Sequence, residues 1–178
     1  MKEGTKNKRS FAGALFEILS EIAVGADSLL VRESMQRKYL RMGGFNPDNV
    51  YRGFRNLENR GLLRNVGKNY KLTSKGQKWY ASSKFSKLSI RPKAWDKKWR
   101  VIIFDIPEDF SRKRHLFRRK IRSLDFYMLQ KSVFVYPFDC QEELGFIGSY
   151  LGVGEYVDLI IADSVGFKER VIKEYYGL

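Results

Sequence analysis

Arg52, Arg55, Asn56 and Asn59 fall within one stretch that reads as a helix, and their side chains suit the edges of base pairs. An arginine forks onto guanine, and an asparagine forks onto adenine. Arg64, Lys68, Lys71 and Lys75 follow closely, and their cationic ends suit phosphate oxygens. The chemistry these residue types imply is recognition of a DNA duplex rather than the making or breaking of a bond.

The elements that must position them are legible nearby. Asn46-Pro47-Asp48 is a helix opening: a capping oxygen, a proline at the first helical position and an acid near the positive end of the dipole. Val50, Phe54, Leu57 and Gly61 then recur at helical spacing, opposite Asp48, Arg52, Arg55 and Asn59. Leu62 to Asn65 and Asn69 to Leu72 are short strand-like runs around Val66-Gly67-Lys68, where Gly67 can supply a positive φ. Thr73 to Gly76 begins another helix, expected to run from Ser74 to about Phe85 and to be anchored by Trp79 and Tyr80.

Upstream, residues 1–9 read as a flexible basic arm. A first helix is expected over Ser10 to Val24, with Phe11, Leu15, Ile18, Leu19 and Ile22 on one face. A second is expected over Val31 to Arg41, ended by Gly43-Gly44. Three helices and a hairpin in this compass predict a winged helix-turn-helix over residues 10–85, with its third helix in a major groove and its hairpin on the backbone. Such a module also binds protein in some settings, and part of its charge can serve solubility alone.

Charge supports the nucleic-acid reading. The chain has 178 residues and a formal net charge of +14. Residues 1–94 hold 20 Lys and Arg against 7 Asp and Glu, whereas residues 95–178 hold 14 against 13. A polyanionic partner is therefore expected to meet the first half. No apolar run approaches the roughly 20 residues of a membrane span, and Glu17 and Glu21 interrupt the stretch that follows the basic N-terminus. A cytoplasmic protein without a membrane partner or secretory signal is expected. The single cysteine, Cys140, excludes an internal disulfide and suits a reducing compartment. With His115 as the only histidine, zinc is not expected.

Residues 86–98 are rich in Ser, Lys and Pro and read as a linker or docking segment, with Trp95 and Trp99 either pinning the two halves or buried in a core. Beyond them the pattern changes. Trp99 to Ile106 is a buried strand ended by Pro107. Asp109 or Ser111 is expected to cap a helix with Phe110, Phe117, Ile121 and Leu124 inward. Tyr127 to Phe138 is extended, Gln141 to Leu151 is helical, Tyr156 to Ala162 is a strand, and Phe167 to Tyr176 is a candidate final helix. This β-α-β(β)-α-β order predicts a ferredoxin-like sheet with helices on one face over residues 99–178. The fold class is thus α+β: a winged helix-turn-helix followed by a ferredoxin-like (βαββαβ) domain.

Two segments carry a resemblance. Trp99-Arg100-Val101-Ile102-Ile103-Phe104-Asp105-Ile106-Pro107-Glu108, with Leu129-Gln130-Lys131-Ser132-Val133-Phe134-Val135-Tyr136-Pro137, resembles the central domain of the PaaX-type transcriptional repressors. That domain is itself similar to the CRISPR-associated Cas-two family, and the first half resembles the PaaX-type winged helix. The resemblance implies a DNA-binding repressor that reads a palindromic operator as a homodimer, joined through its second domain. PaaX-type repressors carry a further C-terminal region, whereas this chain stops at Leu178. The acyl-CoA effector control of some relatives is not carried over, so a small-molecule effector has no support from these residues. The competing expectation is a Cas-two-like nuclease or spacer-acquisition scaffold with an added DNA-targeting module.

Under that competing reading Asp105 matches the strand-end aspartate that the family pairs with its twofold mate to hold magnesium. Glu108 and Asp109 are further carboxylates close by, and hard oxygens suit that cation. The structural alternative is that Asp105 caps the following turn. Under the repressor reading no cofactor and no catalysis are expected. Arg112, Lys113, Arg114, Arg118, Arg119, Lys120 and Arg122 form either a phosphate track or a solvated face. His115 reads as a surface or packing residue and Cys140 as a core thiol. Phe134, Tyr136 and Phe138 line either a sheet interface or the core.

Overall fold

The computed structural model describes residues 31–32, 47–67, 69–91 and 94–178. The basic arm, the first helix, the cap at Asn46 and the lysine at 68 lie outside them. The chain divides into two compact units at the Lys84–Phe85 junction. Helix and sheet are mixed in an α+β chain.

In the first unit, β1 (Val31–Arg32) precedes α1 (Pro47–Asn59), β2 (Leu63–Val66), β3 (Asn69–Leu72) and α2 (Ser74–Lys87). Pro47 occupies the first helical position, where its missing N–H costs nothing. The expected helix over Val31 to Arg41 is overturned at its start. Val31 and Arg32 are extended and pair antiparallel with Tyr70 and Asn69, so a distant strand overrides local helix preference. The rest of that helix lies outside the described residues. The sheet order is β1-β3-β2. Gly67 has φ +66 at the β2–β3 turn.

The second unit contains β4 (Trp99–Phe104), α3 (Ser111–Ser123), β5 (Tyr127–Gln130), β6 (Val133–Tyr136), α4 (Gln141–Leu151), β7 (Val157–Ala162) and α5 (Glu169–Tyr176). All neighbours in the β5-β6-β4-β7 sheet are antiparallel, the arrangement of a βαββαβ ferredoxin-like fold. Side chains alternate across the sheet. Ile102, Phe104, Phe134 and Tyr136 enter the main core with Phe117 and Ile121 of α3 and Leu144, Ile147 and Leu151 of α4.

The opposite face is only partly open. Trp99 and Val135 bury against Ile172 of α5, so helices cover both faces rather than one. The Tyr176 hydroxyl fixes this helix: it lies 2.7 Å from the Asp125 carbonyl and 3.0 Å from that of Val135, and accepts the Tyr127 N–H at 2.9 Å. Phe134 and Tyr136 are core residues, which removes them as interface candidates, and Phe138 packs against the same core. Exposed apolar area lies instead at Ile103, Ile160 and Ile161, the last two on the edge strand β7.

Residues 85–90 are docked, not free. Phe85 stacks on Tyr150 at 4.4 Å between centroids, and Leu88 and Ile90 pack on the main core. Trp99 is fully buried, with Trp95 tilted against it at 5.3 Å. Both belong to the second unit's own packing.

Candidate nucleic-acid interface

Helix α1 buries Phe54 and Leu57 and exposes Arg52, Arg55, Asn56 and Asn59. Arg55 lies over the ring of Tyr51, with its guanidinium carbon 5.8 Å from the centroid, a contact that leaves its donors available. The arginine–asparagine face is thus open among the described residues.

The end of α1 is set by Gly61. It is not on the buried helical face but past the helix end, with φ +67. Its N–H bonds the Glu58 carbonyl at 2.8 Å, and the Leu62 N–H bonds that of Leu57 at 2.9 Å. These are the two bonds of a Schellman stop, and Leu62 buries beside Leu57 as that motif favours.

Thr73 ties this stop to the hairpin base. Its hydroxyl donates to the Gly61 carbonyl at 2.6 Å and accepts the Gly76 N–H at 3.0 Å, which caps α2. Its own N–H donates to the Leu62 carbonyl at 3.1 Å. Gly76 passes so close to Leu62 that an added Cβ would lie 2.0 Å from that carbonyl oxygen. Sequence reasoning saw a helix start here but not this close approach, because its partner lies fourteen positions away.

On the hairpin, Arg64 is exposed and Lys71 half-exposed, directly opposite one another across the β2–β3 ladder. Like charges in this position repel and destabilise the pair unless an anion lies between them. Lys75 is already engaged, its ammonium donating to the Arg60 carbonyl at 2.8 Å near the negative end of α1. Asn65 N–H reaches Glu58 at 3.3 Å, a further tie between helix and hairpin.

In the second unit, Asp105 is exposed at the end of β4, and its N–H bonds the Tyr156 carbonyl at 3.0 Å. Its carboxylate has no hydrogen-bond partner among the described residues, so it caps no turn. Glu108 is paired with Arg114 at 2.6 Å. A 3-10 turn over Glu108–Phe110 precedes α3, which starts at Ser111 behind Phe110 without a side-chain cap, so neither Asp109 nor Ser111 caps it. Among the described residues no three Asp, Glu, His or Cys side chains converge as metal ligands.

Several other side chains are accounted for by packing. Cys140 is buried, and desolvation pushes its thiol up to about 12, which keeps it a protonated core group. His115 is exposed, and its Nδ1–H donates to the Ser111 carbonyl at 2.8 Å. Lys120, expected with the open basic face, is instead buried. Its ammonium reaches the Ser86 and Leu88 carbonyls at 3.4 and 3.3 Å, and burial lowers its pKa.

Arg100, hidden in an apolar strand pattern, is also buried. It makes a two-point bond to Asp96 at 2.6 and 2.7 Å and donates to the Lys98 and Pro137 carbonyls at 3.0 and 3.1 Å. The Arg100 partner holds the Asp96 carboxyl down at about 2, from an ordinary 3.8. The signal available in the sequence was a lone cation inside Trp99–Phe104 with an acid four positions before it.

This unit can also be placed among known proteins. Residues 92–172 match the family model of the PaaX protein central Cas2-like domain. The second unit is a PaaX-type central domain. No curated protein matches the chain. In this PaaX-type domain Asp105 directly follows the first strand, β4, which stops at Phe104 rather than at the expected Ile106, and Val133 to Tyr136 form the third strand. Among the described residues no helix is long and apolar enough to cross a membrane.

Proposed function

We propose that the chain is a DNA-binding transcriptional regulator, a repressor that reads a palindromic operator as a homodimer. One observation carries the reading: the exposed Arg52, Arg55, Asn56 and Asn59 face of α1 is followed at once by a hairpin whose Arg64 and Lys71 stand opposed. The strand β1, by pairing with β3, supplies the third strand of a winged helix-turn-helix. In that module α1 is the reading helix and the hairpin is the wing. The PaaX-type domain supports regulation as the context.

The PaaX-type domain couples two copies, using apolar surface at Ile160 and Ile161 on the exposed edge strand β7 and at Ile103 on the neighbouring central strand β4. A twofold pair presents two reading helices to two half-sites, and the second half-site meets its helix at high local concentration.

The test is selection of sequences from a random duplex pool by the full chain, followed by anisotropy titration of the selected sequence. Arg55→Ala should lose roughly 10- to 100-fold for that sequence, the worth of one forked base contact. Asp105→Ala should bind as wild type does. Magnesium-dependent strand scission that disappears in Asp105→Ala would replace the repressor reading by the nuclease one.

A further inference from the structure

Helix α3 carries seven Lys and Arg and no acid. It belongs to the second unit. Arg114 is neutralised by Glu108, and Lys120 is buried under the Ser86 and Leu88 carbonyls. Lys113 lies over the Phe110 ring, its ammonium 4.7 Å from the centroid. The other four, all arginines, behave differently. Arg112, His115, Leu116, Arg118, Arg119 and Arg122 line one groove on the outer side of the helix.

Arg112, Arg118 and Arg119 have no hydrogen-bond or ion-pair partner among the described residues, and Arg122 reaches only the Met128 sulfur, at 2.8 Å. The Nε of Arg118 is covered and without an acceptor among the described residues. Arg118 and Arg122 are four apart, and Arg119 and Arg122 three apart, so neighbouring cations repel along the helix. A solvated face usually mixes signs and satisfies its donors. This one is a row of guanidinium groups with no acid beside them on the helix and, among the described residues, no oxygen acceptor.

We propose that the Arg112–Arg119–Arg122 face of α3 is a second DNA-contacting surface, one that grips phosphates without reading sequence. The span fits. Ten residues of helix cover about 15 Å, along which one strand of a duplex presents roughly four phosphates. Guanidinium forks match phosphate oxygens in pairs. The groove offers four guanidinium groups, the His115 imidazole and one apolar side chain, Leu116, and lacks an amide to pair with adenine. The choice of duplex DNA as occupant rests on the regulator reading above. The surface itself rests on α3 alone.

The experiment uses the full chain and a 30-base-pair duplex without the selected sequence, titrated at several sodium chloride concentrations. The probe variant is Arg112→Gln/Arg119→Gln/Arg122→Gln, with the Lys triple as the charge-keeping control. Arg52→Ala/Arg55→Ala is run in parallel, and circular dichroism confirms that each variant folds.

The Gln triple should lower the slope of log affinity against log salt by about 2 to 3, since each phosphate contact contributes about 0.9. Its affinity should fall at least tenfold at low salt while preference for the selected sequence survives. The Lys triple should keep most of the slope. An unchanged slope and affinity in the Gln triple overturns the proposal. Competition by an acidic peptide as effective as that by duplex of equal charge overturns the choice of partner. Failure of the regulator reading shows separately, as retained sequence preference in Arg52→Ala/Arg55→Ala.

Discussion

Replacing Gly76 by alanine sets a local rule against a tertiary one. Gly76 lies in α2, where alanine is favoured over glycine by about 1 kcal/mol through backbone entropy. The surroundings reverse the sign. The new Cβ would lie 2.0 Å from the Leu62 oxygen and 2.9 Å from a Leu72 methyl, well inside the 3.4 Å at which ordinary contact begins. The Leu62 oxygen is backbone and accepts the Thr73 N–H, so relief requires moving the hairpin base.

Losing that bond costs about 1 kcal/mol, and forcing a methyl between Leu62 and Leu72 costs about 1 to 3. After the propensity gain, Gly76→Ala should destabilise the first unit by about 2 kcal/mol, a fall of roughly 10 °C in its melting temperature. Gly145 is the control. It sits inside α4 with nothing within 4 Å of an added Cβ, so Gly145→Ala should stabilise by about 0.5 to 1 kcal/mol. Calorimetry of the full chain reads both. A Gly76→Ala protein that melts at or above the wild-type temperature would refute the packing at the hairpin base.

Asp96→Asn should cost about 1 to 2 kcal/mol, below the cost of breaking a wholly buried pair because the Asp96 side chain is half exposed. The same change should cost almost nothing in an Arg100→Met background, and equal costs in both, measured by urea denaturation, would deny the coupling. Because Asp96 is held at about 2, its contribution is present above about pH 4 and disappears as pH falls through about 2. The stability gap between wild type and Asp96→Asn should close over that window, and a gap constant with pH would contradict the ionised pair. Cys140, raised to about 12 by burial, should resist a thiol reagent at pH 8 in native protein and react on unfolding. Rapid stoichiometric labelling of the folded chain would show that the thiol is not in the core.

Local signals made much of the architecture legible. Pro47 marked a helix start, Gly67 marked a turn, and the spacing of Leu144, Ile147 and Leu151 marked the buried side of α4. Each depends on residues within a turn or two of one another. Gly61 shows the limit: its spacing fits the apolar face of α1, but its positive φ places it in the helix stop. Phe134 and Tyr136 have the composition of an interface and the position of a core. Strand alternation defines two faces without saying which one α3 and α4 will cover. Lys120 sits among cations that face outward, and only the docking of residues 85–90 turns it into a buried donor.

The order and type of the chain's residues by themselves determined where its charge lies, where many helices and strands begin and end, and which side chains of α1 have base-pairing chemistry, because these follow from local sterics and residue identity. Folding decided that Val31 and Arg32 extend a sheet, that Gly76 tolerates no methyl, and that Arg100 lies buried against Asp96. It also decided that Arg112, Arg119 and Arg122 share an outer groove without an oxygen acceptor among the described residues. Burial, close approach and unpaired donors are properties of neighbours brought from elsewhere in the chain, and no local pattern contains them.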